Sequence, residues 1–149
     1  MLKIGDNLPH FSCQDDKGNL VTQEDFKGKN VILFFYPRAN TPGCTAQACN
    51  LSENYERLTK AGYTIFGVSA DQVKHQASFS NKFGFPYPLL ADTEKVLINS
   101  FGVWGFKKFM GKEYEGILRT TFVINKDSII EKVIDKVKTK DHTSQILDN

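Results

Sequence analysis

Six consecutive apolar residues, VILFFY at positions 31–36, constrain the fold more than any other stretch of this chain. A strand with one solvent-facing side alternates apolar and polar residues. An unbroken run rich in β-branched and aromatic side chains is instead typical of a central strand that is covered on both faces. A second run of this kind, YTIFGVSA, occupies positions 63–70. We therefore expect two buried strands, near residues 31–36 and 63–69.

The chain around these two runs has the spacing of helices. Up to Gly62, a suitable helix stop, apolar residues recur at helical intervals at Ala48, Leu51, Tyr55 and Leu58. After the second run, Asp71 is placed to cap a further helix that carries Val73, Ala77, Phe79 and Phe83. The order strand, helix, strand, helix is typical of an α/β fold.

The remaining segments predict a mixed sheet. FPYPLLAD predicts a short strand at an edge or an end, because proline cannot donate a ladder hydrogen bond, and EKVLINSFGV predicts a short helix. TTFVIN and SIIEKVI predict a hairpin with strands near 120–125 and 128–134. FSCQDDKGNLVTQEDF predicts a small N-terminal hairpin, and KTKDHTSQILDN suits one short helix. We expect one α/β domain over residues 1–149, a central mixed sheet flanked by helices on both faces.

Charge and cysteine usage narrow the classes of function. The 19 basic and 17 acidic side chains give a formal net charge of +2, so no strong field favours nucleic acid as a partner. The segment MLKIGDNLPHF lacks the features of a signal peptide, and no apolar run approaches the ~20 residues that cross a bilayer. We therefore expect a cytoplasmic protein with no membrane partner. In that reducing compartment, three cysteines argue against a structural disulfide framework.

Two of the three cysteines lie in PRANTPGCTAQAC, where a buried strand gives way to a helix. Unpaired backbone N–H groups and the positive end of the helix dipole favour the thiolate form of Cys44, which makes it an effective nucleophile. Pro42 fixes the turn, and Gly43 lets a backbone or a small substrate come close. Thr41 is either a helix cap or a hydroxyl that serves the sulfur.

The second cysteine of the pair, Cys49, follows Cys44 by five residues. In an intact α-helix this spacing separates the two Cα atoms by ~8 to 9 Å. A disulfide requires Cα atoms within about 7 Å, so pairing would need the first helical turns to unwind. The alternative is that Cys49 is a small buried residue, and the spacing alone leaves both possibilities open.

The segment FYPRANTPGCTAQAC resembles the active site of the peroxiredoxins, in particular the bacterioferritin comigratory protein (PrxQ-type) subfamily. The family motif of proline, threonine and cysteine falls on Pro37, Thr41 and Cys44, and the resolving cysteine falls on Cys49. The family's active-site arginine falls on Arg119 in GILRTTFVIN. Similar segments at FGVSAD, FPYPLLAD and FGVWG extend the resemblance over nearly the whole chain.

The resemblance implies a thioredoxin-like fold and a thiol peroxidase that reduces hydrogen peroxide and organic hydroperoxides to water and alcohols. Cys44 would attack the peroxide and become a sulfenic acid, with Thr41 and Arg119 holding the reacting atoms in line and Pro37 excluding water. Cys49 would then form an intramolecular disulfide with Cys44. Thioredoxin, or a similar dithiol, would reduce that disulfide, with no metal, flavin or haem. Similar proteins are often monomers.

Two other classes of function compete with this interpretation. His10, Cys13, Cys44 and Cys49 make a possible zinc set, although their spacing lacks the usual tight knuckle. A thiol-disulfide oxidoreductase of the same fold would need neither Thr41 nor Arg119, and such proteins place two residues between their cysteines where this chain has four.

Several residues near these motifs receive no catalytic role. We expect Cys13 to be inert, Gln47 to be supporting structure and Arg38 to lie near the mouth of the site. Trp104 and Phe106 are predicted to be core or pocket wall.

Overall fold

The computed structural model describes residues 1–148 and is built around one seven-stranded sheet. Its strands are β1 (Ser12–Asp15), β2 (Leu20–Thr22), β3 (Asn30–Phe35), β4 (Tyr63–Ser69), β5 (Leu89–Ala91), β8 (Thr120–Ile124) and β9 (Ile130–Ile134). They lie in the order β2-β1-β5-β4-β3-β8-β9. A separate two-stranded sheet is formed by β6 (Trp104–Phe109) and β7 (Lys112–Ile117). The helices are α1 (Pro42–Glu53), α2 (Tyr55–Lys60), α3 (Val73–Phe83), α4 (Val96–Phe101) and α5 (His142–Leu147), with a 3₁₀ turn at Gln23–Phe26.

The central strand β3 is buried on both faces, as its apolar run predicts. It pairs in parallel with β4 and antiparallel with β8. Its alternate side chains enter two core clusters, Val31, Leu33 and Phe35 on one face and Ile32, Phe34 and Tyr36 on the other. Residues of α4 belong to the first cluster, and residues of α1, α2, α3 and α5 belong to the second. The predicted mixed α/β sheet with helices on both faces is confirmed, as is the N-terminal hairpin of β1 and β2.

The helix predicted up to Gly62 is divided in two. Asn54 leaves the helical region at φ −104° and ψ 15° and separates α1 from α2. Its side-chain amide donates to the Asn50 carbonyl oxygen at 2.8 Å, a local bond that competes with the helical ladder. The predicted cap of α3 is also wrong, because Gln72 occupies the N-cap position and the Asp71 carboxylate binds elsewhere.

The structure also decides two further sequence-based expectations. β5 lies inside the sheet, between β1 and β4, so of the two predicted possibilities, an edge strand or prolines at a strand end, the structure shows the second. Pro88 directly precedes its first residue, where a missing N–H costs no ladder bond. Phe106 is 74% exposed on the unpredicted β6–β7 hairpin. Trp104 is half-buried there, with the Lys95 ammonium 4.1 Å from its ring centroid.

The register of the sheet determines where the site lies. Phe35, the last residue of β3, pairs with Thr120, the first residue of β8. Because the two strands run antiparallel, Arg119 lies beside the loop that leads from β3 into α1. Residues 75 positions apart in the chain therefore meet at one edge of the sheet. The α5 helix confirms the expected C-terminal helix, and Asn149 lies outside the described residues.

Candidate active site

Cys44 lies in the first turn of α1, with only 1% of its surface exposed. Thr41 is the N-cap residue, and Pro42 takes the first helical position, where its missing N–H breaks no helical bond. The first N–H groups of a helix lack intrahelical acceptors and carry the positive end of its dipole. Cys44 therefore lies at the end of the helix that stabilises negative charge.

The Arg119 guanidinium contacts Cys44 directly. Its Nη2 donates to the Cys44 Sγ at 3.4 Å, while Nη1 donates to the Gln47 Oε1 at 2.7 Å. A methyl group on Gly43 would approach Nη2 to 3.2 Å, so the glycine leaves room for this close contact. A fixed cation at hydrogen-bond distance from sulfur further stabilises a thiolate.

The side chain of Gln47 is fully buried beside the arginine. Because Oε1 accepts from Arg119, the orientation of the amide is fixed, and Nε2 has no hydrogen-bond partner among residues 1–148. An unpaired buried donor is costly, so we regard this amide as part of the site and not as ordinary packing.

Pro37 and Thr41 lie in the loop between β3 and the start of α1, as predicted, but neither forms a hydrogen bond with Cys44 through its side chain. The Thr41 hydroxyl donates to the Arg38 carbonyl oxygen at 2.8 Å and makes no side-chain cap of α1. Its oxygen therefore keeps its lone pairs for another donor. Pro37 is half-buried and the Arg38 side chain is exposed.

A buried hydrogen-bond chain holds the loop before α1. The Tyr36 hydroxyl donates to Gln76 Oε1, and Gln76 Nε2 donates to the Ser69 hydroxyl at 2.9 Å. Ser69 then donates to the Asp71 carboxylate at 2.7 Å, which also accepts the backbone N–H of Ala39 at 2.8 Å. Burial raises the pKa of Tyr36 well above its usual value, so its hydroxyl remains a donor.

This chain was not predicted from the sequence, although one signal pointed to it. Asp71 follows the carboxyl end of β4, and β4 pairs in parallel with β3. The carboxyl ends of neighbouring parallel strands share one edge of the sheet. A carboxylate there is suitably placed to bind the loop that follows β3.

The other two cysteines have different environments. Cys49 is half-buried in intact α1 and is not bonded to Cys44, and burial, together with the charge of Glu53, raises its pKa. For Cys13, on β1, burial, with contributions from Asp92 and Asp15, raises the pKa to about 12. A thiol of this kind is a poor nucleophile at neutral pH.

Lys107 is a second cation near the site. Its ammonium donates to the Ile117 carbonyl oxygen at 2.8 Å. Burial lowers its pKa, and the positive charge of Arg119 adds to that shift, while the charge of Cys44 opposes it. No sequence pattern indicates this lysine, because the β6–β7 hairpin that carries it lies outside the predicted elements.

The rival zinc set is not assembled. Within residues 1–148, no three His, Cys, Asp or Glu side chains are placed to hold one metal ion. In the same part of the chain, no helix combines the length and the hydropathy required to cross a membrane.

Comparison with known protein families agrees with this geometry. Residues 4–133 match the model of the AhpC/TSA family, so the chain belongs to that family.

The chain is similar to individual Bcp and PrxQ peroxiredoxins. The chain is 44% identical to peroxiredoxin Bcp of Escherichia coli over 146 residues, which cover 98% of this chain and 94% of that protein. It is 40% identical to peroxiredoxin Bcp of Bacillus subtilis, over 98% and 93% of the two chains. A cysteine-to-serine mutant of PrxQ from Xylella fastidiosa superposes with a TM-score of 0.92 at 30% sequence identity. The superposition covers 99% of this chain and 94% of that one.

These likenesses confirm the predicted subfamily, the thioredoxin-like fold and the class of activity. The chain is a thiol peroxidase, which reduces a hydroperoxide at the expense of a thiol reductant. A disulfide oxidoreductase without peroxidase activity is not favoured.

Proposed function

We propose that Cys44 is the peroxidatic residue, that Cys49 resolves its sulfenic acid, and that Thr41, Arg119 and Pro37 complete the site. The observation that carries the proposal is the 3.4 Å contact between Arg119 Nη2 and the Cys44 sulfur at the start of α1. A nucleophile held beside a fixed cation is what attack on an O–O bond requires, because negative charge moves from sulfur to the leaving oxygen.

In the first step, the Cys44 thiolate attacks one oxygen of the hydroperoxide. An S–O bond forms, the O–O bond breaks, and the leaving oxygen takes a proton and departs as an alcohol or water. Arg119 stabilises the charge on both sulfur and oxygen. The Thr41 hydroxyl, which donates a hydrogen bond to the Arg38 carbonyl oxygen, accepts a hydrogen bond from the O–H of the hydroperoxide and so orients it. Pro37 limits the access of water.

In the second step, Cys49 attacks the sulfenic sulfur of Cys44. A disulfide forms and water leaves, which carries the two oxidising equivalents from the peroxide to the cysteine pair. An intact α1 keeps the two Cα atoms ~8 to 9 Å apart, so this step requires the helix to unwind locally. Cys49, protonated in the folded helix, becomes easier to ionise once it reaches solvent.

The disulfide is returned to two thiols by an external dithiol, which we propose is thioredoxin or a similar protein. We further propose that the chain acts as one domain over residues 1–149, as a monomer, in the cytoplasm. Sedimentation at the assay concentration checks the monomer.

The test is a coupled assay with thioredoxin, thioredoxin reductase and NADPH, using hydrogen peroxide and an organic hydroperoxide. The unmodified protein is expected to oxidise NADPH steadily with both peroxides. Cys44→Ser is expected to abolish turnover. Cys49→Ser is expected to consume one equivalent of peroxide without recycling by thioredoxin, and Cys13→Ser serves as the matched control with turnover retained.

Different failures identify different errors. Turnover in Cys44→Ser would show that another residue is the nucleophile. Recycling of Cys49→Ser by thioredoxin at the normal rate would remove the resolving role. Single-round oxidation of Cys44 without NADPH loss would leave the peroxide chemistry in place and show that the reductant is not thioredoxin.

A further inference from the structure

We infer that Asn50 is a positioning residue for the resolving step: its contact with α5 holds Cys49 in the folded helix and so sets the rate at which the disulfide forms. The inference rests on the proposed function, because it requires Cys44 to be oxidised and Cys49 to move. It assigns a role to Asn50, a residue outside the peroxide-binding motif.

Asn50 joins α1 to the C-terminal part of the chain through both the nitrogen and the oxygen of its side-chain amide. Its Nδ2 donates to the Lys140 carbonyl oxygen at 3.1 Å, and its Oδ1 accepts the backbone N–H of Thr143 at 2.8 Å. The Thr143 hydroxyl also approaches the Asn50 carbonyl oxygen at 3.4 Å. We call these three bonds, two to Thr143 in α5 and one to Lys140 just before it, the α1–α5 contact.

The α1–α5 contact replaces a cap that α5 does not provide for itself. Asp141 is the N-cap residue of α5, and its side chain makes no capping bond. The first N–H groups of a helix need an acceptor, and Asn50 supplies one for Thr143. Withdrawing Asn50 therefore leaves the Thr143 N–H of α5 and the preceding Lys140 carbonyl oxygen without this partner, in addition to unwinding α1.

Cys49 lies between two anchored residues. On one side, the carbonyl oxygen of Ala48 accepts the Tyr87 hydroxyl at 2.7 Å, and on the other side is Asn50. Moving the Cys49 sulfur to Cys44 displaces the backbone on both sides, so both anchors resist the motion. Ala48 is fully buried, whereas Asn50 is half-buried, so changing Asn50 releases one anchor without opening the core.

The speed of this motion decides the fate of the sulfenic acid. Cys49 can convert it to a disulfide with release of water, at a rate independent of peroxide. A second hydroperoxide molecule can instead transfer an oxygen atom to it, giving a sulfinic acid and one more molecule of water or alcohol, at a rate proportional to peroxide. A tighter α1–α5 contact therefore favours overoxidation, and a looser one favours the disulfide.

The experiment compares Asn50→Ala with Asn50→Asp and a control, Asn54→Ala. Alanine removes both side-chain bonds to the C-terminal segment, while aspartate keeps the acceptor for Thr143 and loses the donor to Lys140. Asn54→Ala removes a side-chain bond to the same Asn50 carbonyl oxygen but leaves the α1–α5 contact in place. Reduced proteins are mixed rapidly with hydrogen peroxide, quenched with acid and analysed by mass spectrometry.

We expect Asn50→Ala to form the disulfide roughly fivefold to 150-fold faster, as the loss of two ordinary hydrogen bonds implies. The peroxide concentration that converts half of Cys44 to sulfinic acid should rise by the same factor, because the two reactions compete for one intermediate. Asn50→Asp should fall between Asn50→Ala and the unmodified protein. The rate of the first, peroxide-dependent step should not change in any variant.

An unchanged rate of disulfide formation in Asn50→Ala, with a normal first step, would overturn this inference and leave the proposed function intact. An equal change in both steps would also overturn it, because that pattern is a general effect on the structure. Absence of a peroxide-dependent step in the unmodified protein would overturn the proposed function and this inference with it.

Discussion

At the scale of single residues, the site depends on a planar side chain that makes two bonds at once. Arg119 binds the Cys44 sulfur through one nitrogen and the buried Gln47 amide through another. Its guanidinium has donors in a fixed fork, so fixing one nitrogen also fixes the other. Lysine carries the same charge as a single ammonium and cannot reproduce this geometry.

Arg119→Lys is therefore expected to lower the second-order rate constant for peroxide reduction by about 10²-fold, the usual loss when a fixed donor to developing charge is removed. The measurement is the rate of Cys44 oxidation at several peroxide concentrations, with thermal unfolding as a check on the fold. Arg38→Lys is the matched control, since the Arg38 side chain is exposed and makes no bond to Cys44. Equal losses in both variants would show that the effect does not depend on the contact between the Arg119 guanidinium and Cys44.

At the scale of elements, the continuous apolar run of β3 was sufficient to predict a strand buried on both faces. The alternation of strands and helices and the N-terminal hairpin are likewise confirmed, because each has a strong periodic signal in the sequence. The break at Asn54 was missed, since the apolar spacing continues across it and only a side-chain bond to the backbone interrupts the helix. The β6–β7 hairpin was missed because its strands do not join the main sheet and present exposed residues such as Phe106.

The candidate site could be predicted in part for similar reasons. Cys44, Thr41 and Pro37 lie within one local motif, and Arg119 was found through its resemblance to a family pattern. The hydrogen-bond chain from Tyr36 to Asp71 depends on the register of parallel strands, which no local pattern specifies.

Gly67 lies in β4, where close packing against neighbouring side chains predicts that a larger residue is destabilising. A methyl group there would lie 2.8 Å from both Leu89 Cδ2 and Phe34 Cζ, and both side chains are fully buried. Gly67→Ala is therefore expected to lower the free energy of unfolding by about 1–3 kcal/mol, the usual cost of overpacking a core. Urea unfolding measures this change.

Gly116→Ala is the control for Gly67→Ala, because its nearest contact would be the flexible Lys107 side chain at an ordinary 3.4 Å. Its stability should change far less. Equal stability of the two variants would mean that β4 and its neighbours can shift to accept the methyl group.

At the scale of the whole molecule, α5 is held against the sheet through His142, which is fully buried. Its Nδ1 lies 2.8 Å from Gln145 Oε1, and its Nε2 lies 2.7 Å from the Thr121 hydroxyl on β8. Gln145 Oε1 also accepts the backbone N–H of Lys138, so the imidazole Nδ1 must donate to it. Nε2 is then the acceptor of the Thr121 hydroxyl, and the neutral ring satisfies both neighbours.

This arrangement predicts a loss of stability in mild acid. Burial lowers the pKa of His142, the charges of Arg119 and Lys132 lower it further, and the bond to Gln145 opposes them. The unfolded chain takes up a proton near pH ~6.5, whereas the folded chain does so only at lower pH, so stability falls as the pH drops through that interval. The slope is at most about 1.4 kcal/mol per pH unit.

Urea unfolding between pH 7.5 and 5 measures this slope. His142→Gln should reduce the slope, while His75→Gln, at an exposed position, should retain it. A slope unchanged by His142→Gln would show that other groups govern the acid response and that α5 docks independently of this proton.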